Sequence, residues 1–261
     1  LETSDTNGRK IAFMWEDILL YVAVGFAAQM VDGAIGMAYG ITSSTVLLSL
    51  GIAPATASAC VHAAETFTTA VSGISHWKFG NIDWRLVRRL ALPGAIGGGI
   101  GAYVLANVDG NVIKPYIAGY LVLMGLFILW KAISHEPKEN SEPPKHVGPL
   151  GFFGGLVDSI GGGGWGPIVT TTLIGSGTTP RYAIGSVNLT EFFVTLTISA
   201  TFLFTIGLEL FPIIAGLLVG GVIAAPFAAY ATKHLPDKVL MIIVGSVIVL
   251  LSLRTILISL H

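Results

Sequence analysis

Charge is scarce in this sequence: Asp, Glu, Lys and Arg together make up 11% of 261 residues, and they nearly cancel to a net charge of −1. A soluble domain carries about a quarter of its residues charged, so this composition excludes an ordinary water-soluble globule. It also leaves no basic surface for nucleic acid. Cysteine is almost absent. Cys60 stands alone in an apolar stretch, which rules out an intrachain disulfide, a cysteine metal cluster and a dithiol redox motif. Zinc-ligand spacings, a nucleophile elbow, a Walker loop and a Rossmann fingerprint are all missing, so no enzyme class, cofactor or bound metal is indicated.

Hydrophobic residues make up 53% of the chain, with 33 glycines and a mean hydropathy of +0.77. Several apolar stretches approach or exceed the roughly 20 residues that cross the hydrocarbon of a bilayer. The reading is a multi-pass, all-α membrane protein of a prokaryotic plasma or inner membrane, with lipid as its main neighbour. Residues 1–16 are polar and of mixed charge, without the layout of a cleavable signal peptide, and are expected to form a short exposed tail.

The chain repeats itself at one fixed spacing. Gly25-Phe26 returns as Gly151-Phe152, Val31-Asp32 as Val157-Asp158, Pro54 as Pro180 and Glu65 as Glu191, and roughly one position in three is identical from Gly25 to Thr69. Such halves mark a secondary transporter built from structural repeats. Gly, Pro and charge divide each half into five apolar segments. The first half, 17–134, holds segments near 17–31, 38–50, 54–76, 86–106 and 112–133. The second, 148–261, holds segments near 148–157, 165–176, 180–206, 209–231 and 237–260. Residues 135–147, with prolines and mixed charge, read as the linker.

Basic residues suggest that the halves are inverted. The loop after the third segment carries Lys78, Arg85, Arg88 and Arg89, while its counterpart has only Glu209; the following pair of loops reverses this bias, with Lys114 alone against Lys233 and Lys238. By the positive-inside rule, corresponding loops lie on opposite sides of the membrane. Inversion needs an odd number of crossings per half. Ten crossings with short first helices, or six with re-entrant first pairs, both satisfy it, and ten helical segments with the first two of each half broken is the preferred reading. Trp15, Trp77, Trp84 and Trp130 fall near segment ends, as interfacial anchors do.

The breaks are glycine-rich: 32–40, containing Gly33, Gly36 and Gly40, and 158–167, containing Gly161 through Gly164 and Gly166. Unwound backbone at membrane depth survives only beside protein or a water-filled cavity. Hydroxyl clusters follow each break, Thr42-Ser43-Ser44-Thr45 and Thr170-Thr171-Thr172. Free amides at a helix start, the positive end of its dipole and hydroxyl donors together make an anion site. The candidate substrate-binding residues are therefore Gly36, Gly40, Thr42, Ser43, Ser44, Gly162, Gly163, Gly164, Thr170, Thr171, Arg181 and Asn188. Glycine also permits close helix packing, and Ser/Thr also bond back to their own helix. Gly97-Gly98-Gly99-Ile100-Gly101 is read as packing alone.

Four carboxylates sit in apolar context at matched positions, Asp32 with Asp158 and Glu65 with Glu191. A central charge costs about 2.5 to 3.5 kcal/mol on insertion scales, so each needs a partner, a proton or a function. Two roles compete for all four: coupling by protonation, or bracing the broken helices, with capping favoured for the two aspartates. His62 stands one turn from Glu65, and its counterpart Asn188 cannot carry charge, so only one half offers a titratable imidazole. Arg181, whose counterpart is Ala55, either attracts an anion or snorkels to the interface.

Gly25 to Gly40 with Pro54 and Glu65, and 158–166 with Pro180, Gly185-Ser186 and Glu191, resemble the TauE/SafE sulfite exporter family over nearly the whole chain. The resemblance implies a permease for small sulfur-containing anions such as sulfite, thiosulfate or organosulfonates. A passive anion channel and a metal-cation carrier are the alternatives. Oligomeric state is left open.

Overall fold

A computed structural model describes residues 17–35, 37–134, 146–207, 211–234 and 237–259. The expected tail and residues 135–145 of the expected linker lie outside them. The described residues form ten helices and no strands. In the first half these are α1 (Ile18–Ile35), α2 (Tyr39–Ser49), α3 (Pro54–Lys78), α4 (Trp84–Asn107) and α5 (Gly110–Ile133). In the second they are α6 (Val147–Gly161), α7 (Gly166–Gly175), α8 (Pro180–Ile206), α9 (Phe211–His234) and α10 (Asp237–Ser259). Helix α7 opens as one π turn over Gly166–Thr170 before turning α-helical.

Local chemistry places the ends. Pro54 and its counterpart Pro180 occupy first-turn positions of α3 and α8, where a missing N–H costs nothing. Asp83 caps α4 by accepting from the Arg85 amide, and Asp109 caps α5 by accepting from the Asn111 amide, each at 2.8 Å. Helices α4, α5, α8 and α10 contain spans long and apolar enough to cross a membrane. Helix α2, at 11 residues, rises only about 16 Å and cannot cross alone.

Each of the four main helix pairings joins one helix from each half: α1 with α9, α4 with α6, α3 with α8, and α5 with α10. Exchanging the halves turns the first pairing into the second and each of the others into itself. The repeats therefore interlock instead of lying side by side. Their glycines explain how closely they do so. A Cβ on Gly97 would overlap the Phe152 carbonyl oxygen, and one on Gly155 the Gly94 carbonyl oxygen; on the matching pair, Gly25 meets the Leu217 carbonyl and Gly220 the Val22 carbonyl. Small residues at these crossings let backbones touch where lipid supplies no hydrophobic drive.

This packing has a measurable consequence. Gly97→Ala is expected to cost about 1–3 kcal/mol, because the obstructing atom is backbone and the helices must part. Gly119→Ala on α5, where a Cβ would meet nothing within 4 Å, is expected to gain up to about 1 kcal/mol from helix propensity. Thermal unfolding in detergent checks both. Equal midpoints for the two variants would remove the close-packing role of the α4 glycines.

Candidate functional site

The breaks are shorter than the glycine spacing suggests. Helices α1 and α6 each run about one turn past Val31 and Val157, so Gly33 and Gly161 are helical, and among the described residues the non-helical backbone of the breaks is 37–38 and 162–164. Ala38 holds a left-handed φ of 116°, a strain of about 1–3 kcal/mol for a residue with a Cβ. In the second break Gly162 and Gly163 take φ values of 68° and 150°.

The second break meets the start of α2 from the other half. A Cβ on Gly40 would stand 2.7 Å from the Cα of Gly163, and one on Gly163 would overlap the Ile41 amide nitrogen. The exposed carbonyls of this break are satisfied by neighbours. The Ser44 hydroxyl donates to the Gly162 carbonyl, Tyr120 donates to the Gly163 carbonyl at 2.9 Å, and Ser58 donates to the Ser159 carbonyl at 2.6 Å. Non-helical backbone at this depth persists on such terms.

The aspartates span the two breaks in the same way. Asp32 Oδ1 accepts from the Tyr39 amide at 3.4 Å, and Asp158 Oδ1 accepts from the Trp165 amide at 2.9 Å. Each thus ties the last turn of one helix to the start of the next, seven residues on. Glu65 accepts from the Gly40 amide, and its buried Oε2 has no hydrogen-bond partner. Glu191, Asp158 and Asp32 are all close enough to Glu65 to repel its charge. His62 is fully buried. Its Nε2 lies 3.2 Å from Asp158 Oδ2, joining the halves, while Nδ1 faces the Ser58 carbonyl at 2.8 Å. Its counterpart Asn188 keeps only part of this pattern: it donates to the Ile184 carbonyl at 3.0 Å and accepts from Ser72 at 2.9 Å.

All four carboxylates border one cavity of about 330 Å³, its open side included. Gly40, Gly163, Gly164 and Asn188 also line it. Gly162, Thr42, Ser43, Ser44, Thr170, Thr171 and His62 do not. Instead, Thr42, Ser43 and Thr45 present buried hydroxyls without a partner, and Thr171 donates back to the Pro167 carbonyl. Gly36 and the side chain of Arg181 lie outside the described residues. Sequence reasoning passed over Met37, Tyr39, Ile41, Gly166 and Pro167 in the wall, and Tyr120 behind the second break. Tyr120 did carry a signal, as a polar-tipped aromatic in the middle of an apolar helix, where its hydroxyl needs a partner. Lys131 donates to the Met37 sulfur at 3.6 Å, which sets a cation beside the first break. Among the described residues no group of three His, Cys, Asp or Glu side chains is arranged to hold a metal ion.

A broken-helix cavity shared by two interlocked halves is the layout of a membrane carrier, and comparison with known proteins agrees. The chain is 41% identical to the probable membrane transporter protein YtnM of Bacillus subtilis (strain 168), over 246 residues covering 91% of this chain and 82% of the relative. No solved structure matches it. The family model described as sulfite exporter TauE/SafE matches residues 21–255, and the chain belongs to that family of multi-pass membrane transporters.

Proposed function

We propose that this transporter moves a small sulfur-containing anion, such as sulfite, thiosulfate or an organosulfonate, by alternating access through the cavity between the two breaks. The observation that carries this reading is that the amides at the starts of α2 and α7 already hold carboxylates: Asp32 on Tyr39, Glu65 on Gly40 and Asp158 on Trp165. Amides at a helix start, at the positive end of its dipole, form an anion site. In the empty carrier the protein's own carboxylates fill that site. An entering anion competes for the same donors, and each carboxylate it displaces must be neutralised, because two negative groups in so dry a space repel strongly. Anion binding and proton binding are thereby linked, and Glu65 and Glu191 are the carboxyls through which the linkage runs. The reversed loop bias of the halves supports an inverted repeat, in which the two breaks exchange roles as the cavity opens first to one face and then to the other.

Reconstitution in liposomes tests the reading. Labelled sulfite should enter saturably, accelerate when unlabelled sulfite is trapped inside, and slow when thiosulfate or a sulfonate competes. Flux that rises linearly with concentration and shows no counterflow would make the protein a channel, and transport of divalent metal in place of anion would make it a cation carrier.

A further inference from the structure

The imidazole of His62 is held in one tautomer by two independent contacts. Nδ1 lies 2.8 Å from the Ser58 carbonyl oxygen, which only accepts. It also lies 3.2 Å from the Ser58 hydroxyl, whose single hydrogen is committed to the Ser159 carbonyl at 2.6 Å. Nδ1 must therefore carry its hydrogen in every charge state of the pair. On the opposite edge of the ring, Nε2 faces Asp158 Oδ2 at 3.2 Å. With Nδ1 already protonated, that contact is a hydrogen bond only if one further proton lies between the two atoms. The proton sits either on Nε2, giving imidazolium and carboxylate, or on Oδ2, giving neutral imidazole and carboxylic acid. Without it, a lone pair faces a carboxylate oxygen and the contact is repulsive.

We infer that His62 and Asp158 form a single-proton site that latches the second glycine break to the opposite half, and that losing this one proton releases the break. Asp158 carries the consequence to the backbone, because its other oxygen holds the Trp165 amide at the start of α7. Among the described residues the first break has no equivalent latch: Asn188 stands at the position matching His62, and its side chain is engaged by Ser72 and Ile184. The carrier thus has one break released by loss of a proton from this pair and one that lacks such a release, so the His62–Asp158 proton acts on the second break alone, beside the linkage through the glutamates. Other titratable groups around the pair are Glu65 on the same helix, Asp32 on α1, Tyr39 on α2, Tyr120 on α5 and Glu191 on α8. Among the described residues none of their hydrogen bonds is to His62, and all of these groups remain in both variants; His62→Gln also keeps the Asp158 carboxylate whose charge Glu65 and Glu191 feel, so its difference from wild type isolates the pair. The closed break binds one proton more than the open break. Raising the pH therefore favours opening.

This inference rests on the carrier reading but is tested without substrate. Amide hydrogen exchange of the peptide covering 158–166 is followed in the whole chain in nanodiscs across a pH series. Each pH point is referred to a variant at the same pH, which cancels the intrinsic pH dependence of exchange. Asp158→Asn keeps the acceptor for Trp165 and donates an amide hydrogen to Nε2, so it latches with no proton to lose. His62→Gln latches from the other side and serves if the first variant folds poorly. Relative to either variant, the wild-type peptide should lose protection at least tenfold as pH rises. A flat ratio, or equal pH-driven opening in the variants, overturns the latch. Failure of the carrier reading would appear separately, as absence of sulfite counterflow by wild-type protein with its pH-dependent exchange intact.

Discussion

Gly163→Ala is expected to cut sulfite uptake by about a hundredfold while the protein remains monodisperse in detergent. At φ 150° a residue with a Cβ is strained, and here that Cβ would also overlap the Ile41 amide and the Gly40 carbonyl carbon, which belong to the other half's backbone. Backbone cannot turn aside as a side-chain tip can, so α2 and the second break must separate. A cost of about 3 kcal/mol borne only by the assembled cavity lowers its population about a hundredfold. Most of the fold does not feel this cost, because the four main helix pairings lie elsewhere. Gly164→Ala supplies the comparison. Its Cβ would meet the Tyr120 hydroxyl, a side-chain tip that can swing away with loss of one hydrogen bond, about 1 kcal/mol, so uptake should fall by less than tenfold. The obstruction in Gly163→Ala is thus the opposing backbone of the first half. Uptake by Gly163→Ala within a few-fold of wild type would detach the break from transport.

Much of the architecture was legible because the chain states it twice. The fixed spacing, with Pro54 and Pro180 opening matched helices, placed ten segments whose observed ends mostly shift by a few residues. What the repeat could not disclose is contact between its copies. No periodicity within α3 says that His62 reaches Asp158, or that Tyr120 backs the second break, since both contacts cross from one half to the other. The hydroxyl cluster on α2 lies off the cavity wall for a related reason. That helix is buried on nearly every side, so its pattern has no polar face to point at the cavity, and Thr42, Ser43 and Thr45 turn into packed surroundings. The over-long glycine breaks have a local cause. Asp32 and Asp158 reach forward to amides seven residues on, and this bridge lets the preceding helix continue for another turn through residues that propensity would end it at.

The two glutamates are matched by the repeat yet differ in their surroundings, and Gln variants should separate them. Glu65 is buried, takes the Gly40 amide at the start of α2 and leaves Oε2 unpartnered; Glu191 is only half-buried, in the same cavity. Glutamine reproduces the shape and the acceptor of a protonated glutamate, so Glu65→Gln should keep the Gly40 bond and unfold within about 1 kcal/mol of wild type. It should also bind sulfite, since a neutral side chain no longer opposes the anion. What it cannot do is take up or release a proton. Net uptake driven by a pH gradient should therefore fall at least tenfold in Glu65→Gln, while exchange of internal for external sulfite at equal pH persists. The loss in Glu191→Gln should be smaller, because among the described residues Glu191 holds no amide at a helix start and its neutralisation frees less of the anion site. Parallel assays of gradient-driven uptake and equal-pH exchange on both variants give the two ratios needed. If both variants kept wild-type gradient-driven uptake, the glutamates would be structural braces of the broken helices, and proton coupling would fall to the His62–Asp158 pair.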